Sequence, residues 1–247
     1  MSNKHIIEVK NLIAKYGEKT ILNGISVDIL EGEVTVILGA SGGGKTTFMK
    51  NIIRLVEPYS GSIKIFDNEV VGLDELEFNE ILKRIGMLFQ NGALLNSIDI
   101  FENISIPLEQ HTKLPYEIRK KIIKKKLHLV NLSHAIHLLP SELSGGMKKR
   151  AALARAIALD PDILFFDEPS AGLDPITSAN LDDLILELKN QLNITLVIVT
   201  HELASIYRIA DRIIFLDKGK LIFHGTLKEI EYCKNDVVKH FFDVGKF

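Results

Sequence analysis

The sequence is poor in cysteine and in long apolar runs, and its charges nearly cancel. The single cysteine, Cys233, excludes an intrachain disulfide and a metal site built from several cysteines, which is compatible with a reducing cytosol. No run approaches the roughly 20 apolar residues of a membrane-spanning helix, and no apolar segment of the secretory type stands near the amino terminus. The net charge of −2 does not indicate nucleic acid as a bulk partner. If the protein works at a membrane, we expect it to dock on another chain.

The remaining composition is that of a folded globular protein. Of the 247 residues, 46% are hydrophobic and 25% are charged, and both values are ordinary. At roughly 150 residues per domain, this length predicts one or two domains.

The segment 34–47 joins an apolar β-branched run, a glycine-rich loop and the start of a helical pattern. Gly39, Gly44, Lys45 and Thr46 match the Walker A spacing G-x-x-x-x-G-K-[ST] in the strand, loop and helix context that the motif requires. Glycines permit positive φ, so consecutive N–H groups can face an anion, and the helix adds the positive end of its dipole. We predict that Lys45 binds the β- and γ-phosphates and that the Thr46 hydroxyl holds Mg²⁺. A flexible glycine hinge would explain the glycines but not Lys45 and Thr46 at this spacing.

The predicted phosphate-binding residues are Gly39, Ala40, Ser41, Gly42, Gly43, Gly44, Lys45, Thr46 and Thr47.

The order of strand-like and helical patterns predicts an α/β fold with a mostly parallel sheet. Strand-like runs near 6–10 and 25–29, with a turn at Tyr16-Gly17, predict an N-terminal antiparallel β subdomain. Later apolar runs alternate with helical patterns, which favours parallel strands covered on both faces. These later runs lie at 163–166, 195–199 and 212–216, and the helical patterns lie at 175–192 and 202–209.

Within one domain spanning 1–247, we predict three parts. An α/β core comprises 1–90 and 159–225, and a helical subdomain, 91–158, is inserted into it. The C-terminal extension, 226–247, packs on the core or on a partner subunit, and the sequence leaves both possibilities open.

One dense basic run extends from Arg119 to Lys126. It could bind lipid or RNA, or it could be the solvated face of a helix. We favour the solvated face because apolar residues supply a second side of the same helix. These apolar residues are Ile118, Ile122, Leu127, Leu129 and Val130.

A second apolar strand ends in two acids, Asp167 and Glu168, as a Walker B element does. We predict that Asp167 binds Mg²⁺ opposite Thr46 and that Glu168 polarises the water that attacks the γ-phosphate. Either acid alone could be a helix cap or a surface group. The pair closes an apolar strand in a chain that also has a phosphate loop, which favours the catalytic interpretation.

The segment Leu143-Ser144-Gly145-Gly146-Met147 precedes a helical run, so its serine and glycines lie at a helix N-terminus that favours an anion. By itself it could be only an N-cap with a loose turn. Together with the two Walker elements, Leu-Ser-Gly-Gly resembles the signature of ATP-binding cassette (ABC) ATPases. The resemblance covers nearly the whole chain and implies the fold of an ABC nucleotide-binding domain.

Further positions resemble the same family in the expected order. The resemblance implies that Tyr16 stacks on adenine, that Gln90 senses Mg²⁺ and water, and that His201 contacts the γ-phosphate. Residues 170–174 resemble the D-loop. Singly these positions are weak signals, since Tyr16 could be a turn or core aromatic, Gln90 a surface residue and His201 a helix cap. Asp174, within residues 170–174, could be only an N-cap before Pro175. Their order at the ends of predicted strands favours the family interpretation.

The resemblance also implies an assembly and a reaction. In this family two nucleotide-binding domains close head to tail, so ATP on one subunit meets Ser144, Gly145 and Gly146 of the other. We therefore expect an ATPase that works with ATP and Mg²⁺ as a dimer of two copies or with a related subunit.

Two segments resemble the Mla-type subgroup, which energises lipid transport together with MCE-domain proteins. They are residues 147–159, where Met147 replaces the usual glutamine of the signature, and residues 89–97, with the pattern Gln-x-Gly-Ala-Leu. The resemblance implies phospholipid transport between bacterial inner and outer membranes, a membrane permease, a periplasmic MCE-domain protein and a small STAS-domain partner. It places the subunit peripherally, on the cytoplasmic side of the inner membrane.

Two alternatives stay open at this point. One is the ATPase of a small-solute importer, for example for amino acids. The other is a soluble ABC ATPase acting on ribosomes or DNA, which is disfavoured because the chain has neither a second cassette nor an inserted coiled coil. We expect no nucleic-acid partner.

The apolar residues that follow Gln90 form a candidate transmission surface toward a permease helix. They could equally fill the core of the helical subdomain. These residues are Leu94, Leu95, Ile98, Ile100 and Phe101.

Overall fold

The computed structural model describes residues 4–40 and 42–243. The strands in these ranges are β1 (His5–Tyr16), β2 (Lys19–Leu30), β3 (Val34–Leu38), β4 (Ser60–Ile65), β5 (Asn68–Glu69), β6 (Ile85–Leu88), β7 (Ile163–Asp167), β8 (Thr195–Val199), β9 (Arg212–Asp217) and β10 (Lys220–Thr226). The helices are α1 (Lys45–Ile52), α2 (Glu75–Leu82), α3 (Ile100–His111), α4 (Tyr116–Leu129), α5 (Gly145–Ala156), α6 (Pro175–Leu192), α7 (Leu203–Ile209) and α8 (Asp236–Asp243). Across the described residues, we find no helix with both the length and the apolar character that crossing a lipid bilayer requires.

The chain divides into two compact units. The first unit comprises residues 1–82 and 195–247, and the second comprises 83–194. These limits differ from the predicted subdomains, because β6, β7 and α6 group with the helical segment rather than with the phosphate loop. The division into functional subdomains stays a prediction.

The first unit contains an antiparallel sheet with the strand order β2-β1-β4-β5. Strands β1 and β2 form a long hairpin that closes at the pair Tyr16 and Lys19. The expected β subdomain is therefore confirmed, and its strands are longer than predicted. The first predicted strand ended at residue 10, because Asn11 interrupts the alternation of apolar and polar side chains. Its φ is 48°, and its N–H donates to the Ser26 hydroxyl at 2.9 Å instead of following the regular ladder.

Four further strands of the first unit are neighbours in the order β10-β9-β3-β8. Strand β3 pairs in parallel with both β8 and β9. Every residue of β3 and β8 is buried, as expected of parallel strands that are covered on both faces. Strand β10 was not predicted. A tight turn with positive φ at Lys218 and Gly219 returns the chain antiparallel to β9.

The second unit contains the parallel pair β6 and β7 and the helices α3 to α6. Helices α3, α4 and α5 lie within the range 91–158, which was predicted to be helical. The predicted apolar side of α4 is partly wrong, because Ile118 is 40% exposed whereas Ile123 is fully buried. Lys126, a member of the basic run, is also buried and forms an ion pair with Asp160. The exposed lysines of α4 do form a solvated face.

The C-terminal helix α8 packs within the first unit. Val238 and Phe242 are buried, and the ring of Phe241 lies edge-on to Phe215 at 5.3 Å. Phe242 in turn contacts the ring of Tyr207 at 5.9 Å. As far as residue 243, the C-terminal segment therefore packs on the core, which was one of the two predicted alternatives. Residues 244–247 lie outside the described residues.

Candidate functional site

The loop between β3 and α1 has the geometry of an anion site. Helix α1 begins at Lys45, and Gly44 before it has φ of 102°. The first turn of α1 contains no acidic residue, so its free N–H groups and dipole are not neutralised from within the helix. Ser41, which the motif also places in the loop, lies outside the described residues.

At two positions of the loop, the neighbouring backbone leaves room only for glycine. Gly39 has φ of 145°, and a Cβ there would lie 1.9 Å from the carbonyl oxygen of Leu216. A Cβ on Gly43 would lie 2.9 Å from the Ala40 oxygen and 3.0 Å from that of Leu216. The loop therefore rests directly on the backbone at the end of β9, and only glycine permits this approach.

The side chain of Lys45 folds back onto the phosphate loop that precedes it. Its ammonium donates to the carbonyl oxygens of Gly39 at 2.8 Å and Ala40 at 3.1 Å. The charge is thus held at the loop, where a phosphate group would meet it together with the helix N-terminus.

A cleft of about 270 Å³ opens over this loop. Tyr16 contributes to it and is 50% exposed, so the structure brings the predicted adenine-stacking residue to the phosphate loop. Lys19 and Ile21 from the start of β2 also line the cleft, and neither was predicted from the sequence. They could have been inferred from the hairpin, because Lys19 pairs with Tyr16. The other lining residues are Gly42, Gly43, Gly44, Lys45, Thr46 and Thr47.

His201 follows β8 at the same sheet edge as the phosphate loop. Strands β3 and β8 are parallel, with Ile37 opposite Val199, so the residues after both strands leave at one edge. His201 is exposed there. The first unit therefore brings together the phosphate loop, Tyr16 and the predicted γ-phosphate contact.

In the second unit, the other predicted catalytic residues lie at the carboxyl ends of the parallel strands β6 and β7. Leu88 of β6 lies opposite Phe166 of β7. Gln90 therefore follows the end of β6 next to the end of β7, where Asp167 is the last strand residue and Glu168 follows it. Gln90 is exposed, and both acids are partly exposed. Glu168 has φ of 49°, a left-handed conformation that costs free energy in a residue other than glycine.

Two cations of α5, neither of them predicted from the sequence as a site residue, bind the backbone of these loops. The ammonium of Lys149 donates to the carbonyl oxygen of Gln90, and a longer contact of 3.4 Å reaches that of Glu168. The guanidinium of Arg155 donates to the carbonyls of Gly92 at 2.8 Å and Ala93 at 2.7 Å. Burial lowers the pKa of Lys149, against the opposing effect of the Glu168 and Asp167 charges.

The serine-glycine segment forms the start of α5. Ser144 is its N-cap, and its hydroxyl accepts a hydrogen bond from the Met147 N–H at 3.3 Å. Ser144 and Gly145 are exposed, whereas a Cβ on Gly146 would lie 2.8 Å from the Thr177 methyl group. The turn is therefore accessible, and its second glycine allows α5 to pack closely on α6.

Asp174 fixes the beginning of α6. Its carboxylate accepts hydrogen bonds from the Thr177 hydroxyl at 2.5 Å, the Thr177 N–H at 3.0 Å and the Ile176 N–H at 3.1 Å. These bonds, the one from the Thr177 side chain first, lower the pKa of Asp174. The predicted alternative, an N-cap before Pro175, is therefore what the structure shows for this residue.

A separate cleft of about 530 Å³ lies beside α3, where Ile98 and Phe101 line it together with acidic residues, Tyr116 and His137. Of the five apolar residues in the candidate transmission surface, Ile100 is fully buried and Leu95 is 50% exposed. Ile100 fills the core, whereas Ile98 and Phe101 line the cleft, and a contact of these residues with a permease helix stays a prediction.

Residues 22–171, more than half of the chain, match the sequence model of the ABC transporter family. The chain belongs to this family. Among curated proteins, it is 42% identical to the intermembrane phospholipid transport system ATP-binding protein MlaF of Haemophilus influenzae, over 92% of this chain and 86% of the relative. Its identity to MlaF of Escherichia coli K12 is 39%, over 97% of this chain and 89% of the relative. A third relative, the probable ribonucleotide transport ATP-binding protein mkl of Mycobacterium leprae, is 39% identical over 95% of this chain and 68% of the relative.

Solved structures of ABC proteins have the same fold. The ATP-binding cassette MJ0796, in a dimeric post-hydrolysis state with ADP and phosphate, is 31% identical, with a TM-score of 0.81 over 90% of this chain and 98% of that one. The cbiO1 protein of Clostridium perfringens, part of the transporter complex cbiONQ, is 28% identical, with a TM-score of 0.85 over 98% of this chain and 96% of that one. The α/β fold predicted from the sequence is confirmed.

As a member of the ABC transporter family, the chain is an ATP-binding protein and an ATPase. That the nucleotide binds at the Walker A loop, and which side chain performs which part of the reaction, stay predictions.

Proposed function

We propose that this protein is the ATPase subunit of a transporter that moves phospholipid between the inner and outer membranes of a bacterium. The observation that carries the proposal is its similarity, over more than nine-tenths of the chain, to proteins named for intermembrane phospholipid transport. Met147 after the signature glycines and the Gln-x-Gly-Ala-Leu pattern at Gln90 support the same subgroup.

In this proposal the first unit binds the nucleotide. The N–H groups of the loop and the N-terminus of α1 hold the phosphates, and Lys45 moves from the loop carbonyls to the β- and γ-phosphates. The exposed ring of Tyr16 stacks on adenine at the other end of the cleft. His201, at the same sheet edge, contacts the γ-phosphate.

Hydrolysis requires Mg²⁺ and a positioned water. Thr46, Gln90 and Asp167 offer hydroxyl, amide and carboxylate oxygens, which are the donors that Mg²⁺ prefers. When bound, the ion would neutralise charge on the transferred phosphoryl group. Glu168 accepts a hydrogen bond from the attacking water and polarises it.

Two copies act together in the proposed cycle. Ser144, Gly145 and the following helix N-terminus complete the γ-phosphate site of the partner copy, and their exposure in the single chain is compatible with that role. The dimeric state of the similar cassette MJ0796 supports a dimer. Hydrolysis then releases one copy from the other, as in other switches held by a γ-phosphate.

The subunit works at the cytoplasmic side of the inner membrane, bound to a separate permease. The cleft beside α3 provides a place for a permease helix, with Ile98 and Phe101 as its apolar contacts. An MCE-domain protein and a STAS-domain protein complete the proposed transporter, on the basis of the Mla-type resemblance.

Ribonucleotide transport is the second candidate, because the name of the mycobacterial relative assigns that substrate. A small-solute importer would use the same ATPase machinery. Phospholipid is favoured because the relatives named for it have equal or higher identity and are matched over more of their own length.

The experiment is to purify the protein from membranes with its permease and to place the complex in vesicles that contain labelled phospholipid. ATP-dependent transfer of the label to acceptor vesicles, lost in Glu168→Gln, is the expected result. Transport of a ribonucleotide without lipid transfer would replace the substrate. Undiminished ATP turnover by Glu168→Gln would contradict its assignment as the base.

A further inference from the structure

Lys149 is a buried cation in the second unit. It lies in the second turn of α5 and is 6% exposed, whereas its neighbour Lys148 is exposed. A buried charge lowers stability unless hydrogen bonds or opposite charges compensate it. The contacts of Lys149 therefore show which groups compensate its buried charge.

The ammonium of Lys149 joins the two loops that carry Gln90 and Glu168. It donates to the carbonyl oxygen of Gln90 and lies 3.4 Å from that of Glu168. These residues follow the ends of two parallel strands, whose register fixes the strand ends but not the loops beyond them. A three-donor ammonium between the two carbonyls sets the distance between the loops.

The left-handed backbone conformation of Glu168 must be held in place by hydrogen bonds from its surroundings. Its φ of 49° is costly for a residue with a Cβ and persists only where surrounding bonds hold it. Its carbonyl oxygen also accepts a hydrogen bond from the Ala171 N–H at 3.2 Å. Lys149 adds a charged donor to the same oxygen, and charge-assisted bonds are stronger than neutral ones.

We propose that Lys149 is a positioning residue for ATP hydrolysis, which holds the backbone of Gln90 and Glu168 so that their side chains meet the γ-phosphate and its water. It acts through the main chain of these residues and does not touch the nucleotide. The inference rests on the proposed roles of Gln90 and Glu168.

The test compares Lys149→Met with a matched buried lysine. Lys126→Met removes a lysine of similar burial in the same unit, whose partner is Asp160 and not a catalytic loop. Both variants should lower the melting temperature. At a temperature where both are folded, Lys149→Met should lower kcat by about 10- to 100-fold with a change in KM for ATP below about threefold. Lys126→Met should keep the kcat of the wild type, and Lys149→Arg should recover at least about tenfold over Lys149→Met.

A combined variant separates positioning from a merely structural role. If Lys149 acts through Gln90 and Glu168, adding Lys149→Met to a protein that carries both Gln90→Ala and Glu168→Gln should lower the remaining turnover by less than about threefold, because both side chains that it positions have already gone. Full additivity overturns the inference, and so does a wild-type kcat in folded Lys149→Met. Undiminished turnover in Glu168→Gln alone overturns the proposed role of Glu168, whatever Lys149→Met does.

Discussion

Substituting Gly39 by alanine tests whether the phosphate loop depends on its close contact with β9. The glycine has φ of 145°, and the added methyl group would lie 1.9 Å from the Leu216 carbonyl oxygen. Leu216 belongs to β9, whose pairing with β3 fixes it next to the loop. Because the atom in the way is backbone and not the end of a side chain, the loop itself must move.

The displacement follows from these distances. A Cβ essentially never approaches another heavy atom closer than 3.0 Å, so the separation must grow by at least 1.1 Å, from 1.9 to 3.0 Å. A misplacement of about 1 Å in reacting groups can lower a rate about 100-fold. The strained φ adds about 1–3 kcal/mol of destabilisation. We therefore expect kcat/KM for ATP to fall about 100-fold, together with a lower melting temperature.

The assay is steady-state ATP hydrolysis with thermal melting of the same preparations. Gly72→Ala is the control, since Gly72 also has positive φ, at 77°, but no atom lies within 4 Å of its added Cβ. It should lose about 1–2 kcal/mol of stability from the left-handed backbone and keep its turnover. A folded Gly39→Ala protein with the kcat/KM of the wild type would show that the phosphate loop does not need its close contact with β9.

Two further predictions concern the signature turn and the start of α6. Mixing Lys45→Ala with Ser144→Arg subunits should leave one intact composite site per heterodimer, so the mixture should regain ATP turnover that neither variant has alone; a mixture as inactive as its components would argue against sites shared between copies. Asp174→Ala should lower the melting temperature at neutral pH. Because hydrogen bonds lower the pKa of Asp174, its stabilisation is present above the ordinary pKa of aspartate and is lost as pH falls through the lowered value. The difference in melting temperature between the wild type and Asp174→Ala should therefore shrink as the pH falls below the ordinary pKa of aspartate. The difference between Asp174→Asn, which keeps a capping oxygen, and Asp174→Ala should change little, because neither variant titrates at this position; a wild-type difference that stays constant with pH would contradict this.

The sequence predicted those elements whose function is encoded in a local pattern. The runs 34–38 and 195–199 are apolar throughout because both faces are covered, and their predicted limits agree with the observed strands. The Walker A spacing located the loop because its glycines and lysine are adjacent in the chain. The N-cap of α6 was foreseen as an alternative for Asp174 from the aspartate before a proline.

Other features depend on residues far apart in sequence, and local patterns could not predict them. Lys126 and Lys149 have the type and surroundings of exposed residues, yet both are buried. Their burial becomes understandable only from their partners, which are 34 residues away for Lys126 and 59 residues away, at Gln90, for Lys149. Strand β10 was missed because Lys218 and Gly219 are a weaker turn signal than Asn-Gly, although both adopt positive φ.

Helix α5 combines these two kinds of information. Its N-cap, Ser144, was recognised from a local motif, whereas its inward-facing cations, Lys149 and Arg155, bind the loop after β6 at Gln90, Gly92 and Ala93. An α-helix is stiff over a span of this length, about 1.5 Å per residue. A ligand that binds at the serine turn therefore acts on the same rigid element that holds the Gln90 loop. That loop leads along the chain to Ile98 and Phe101, which line the cleft beside α3.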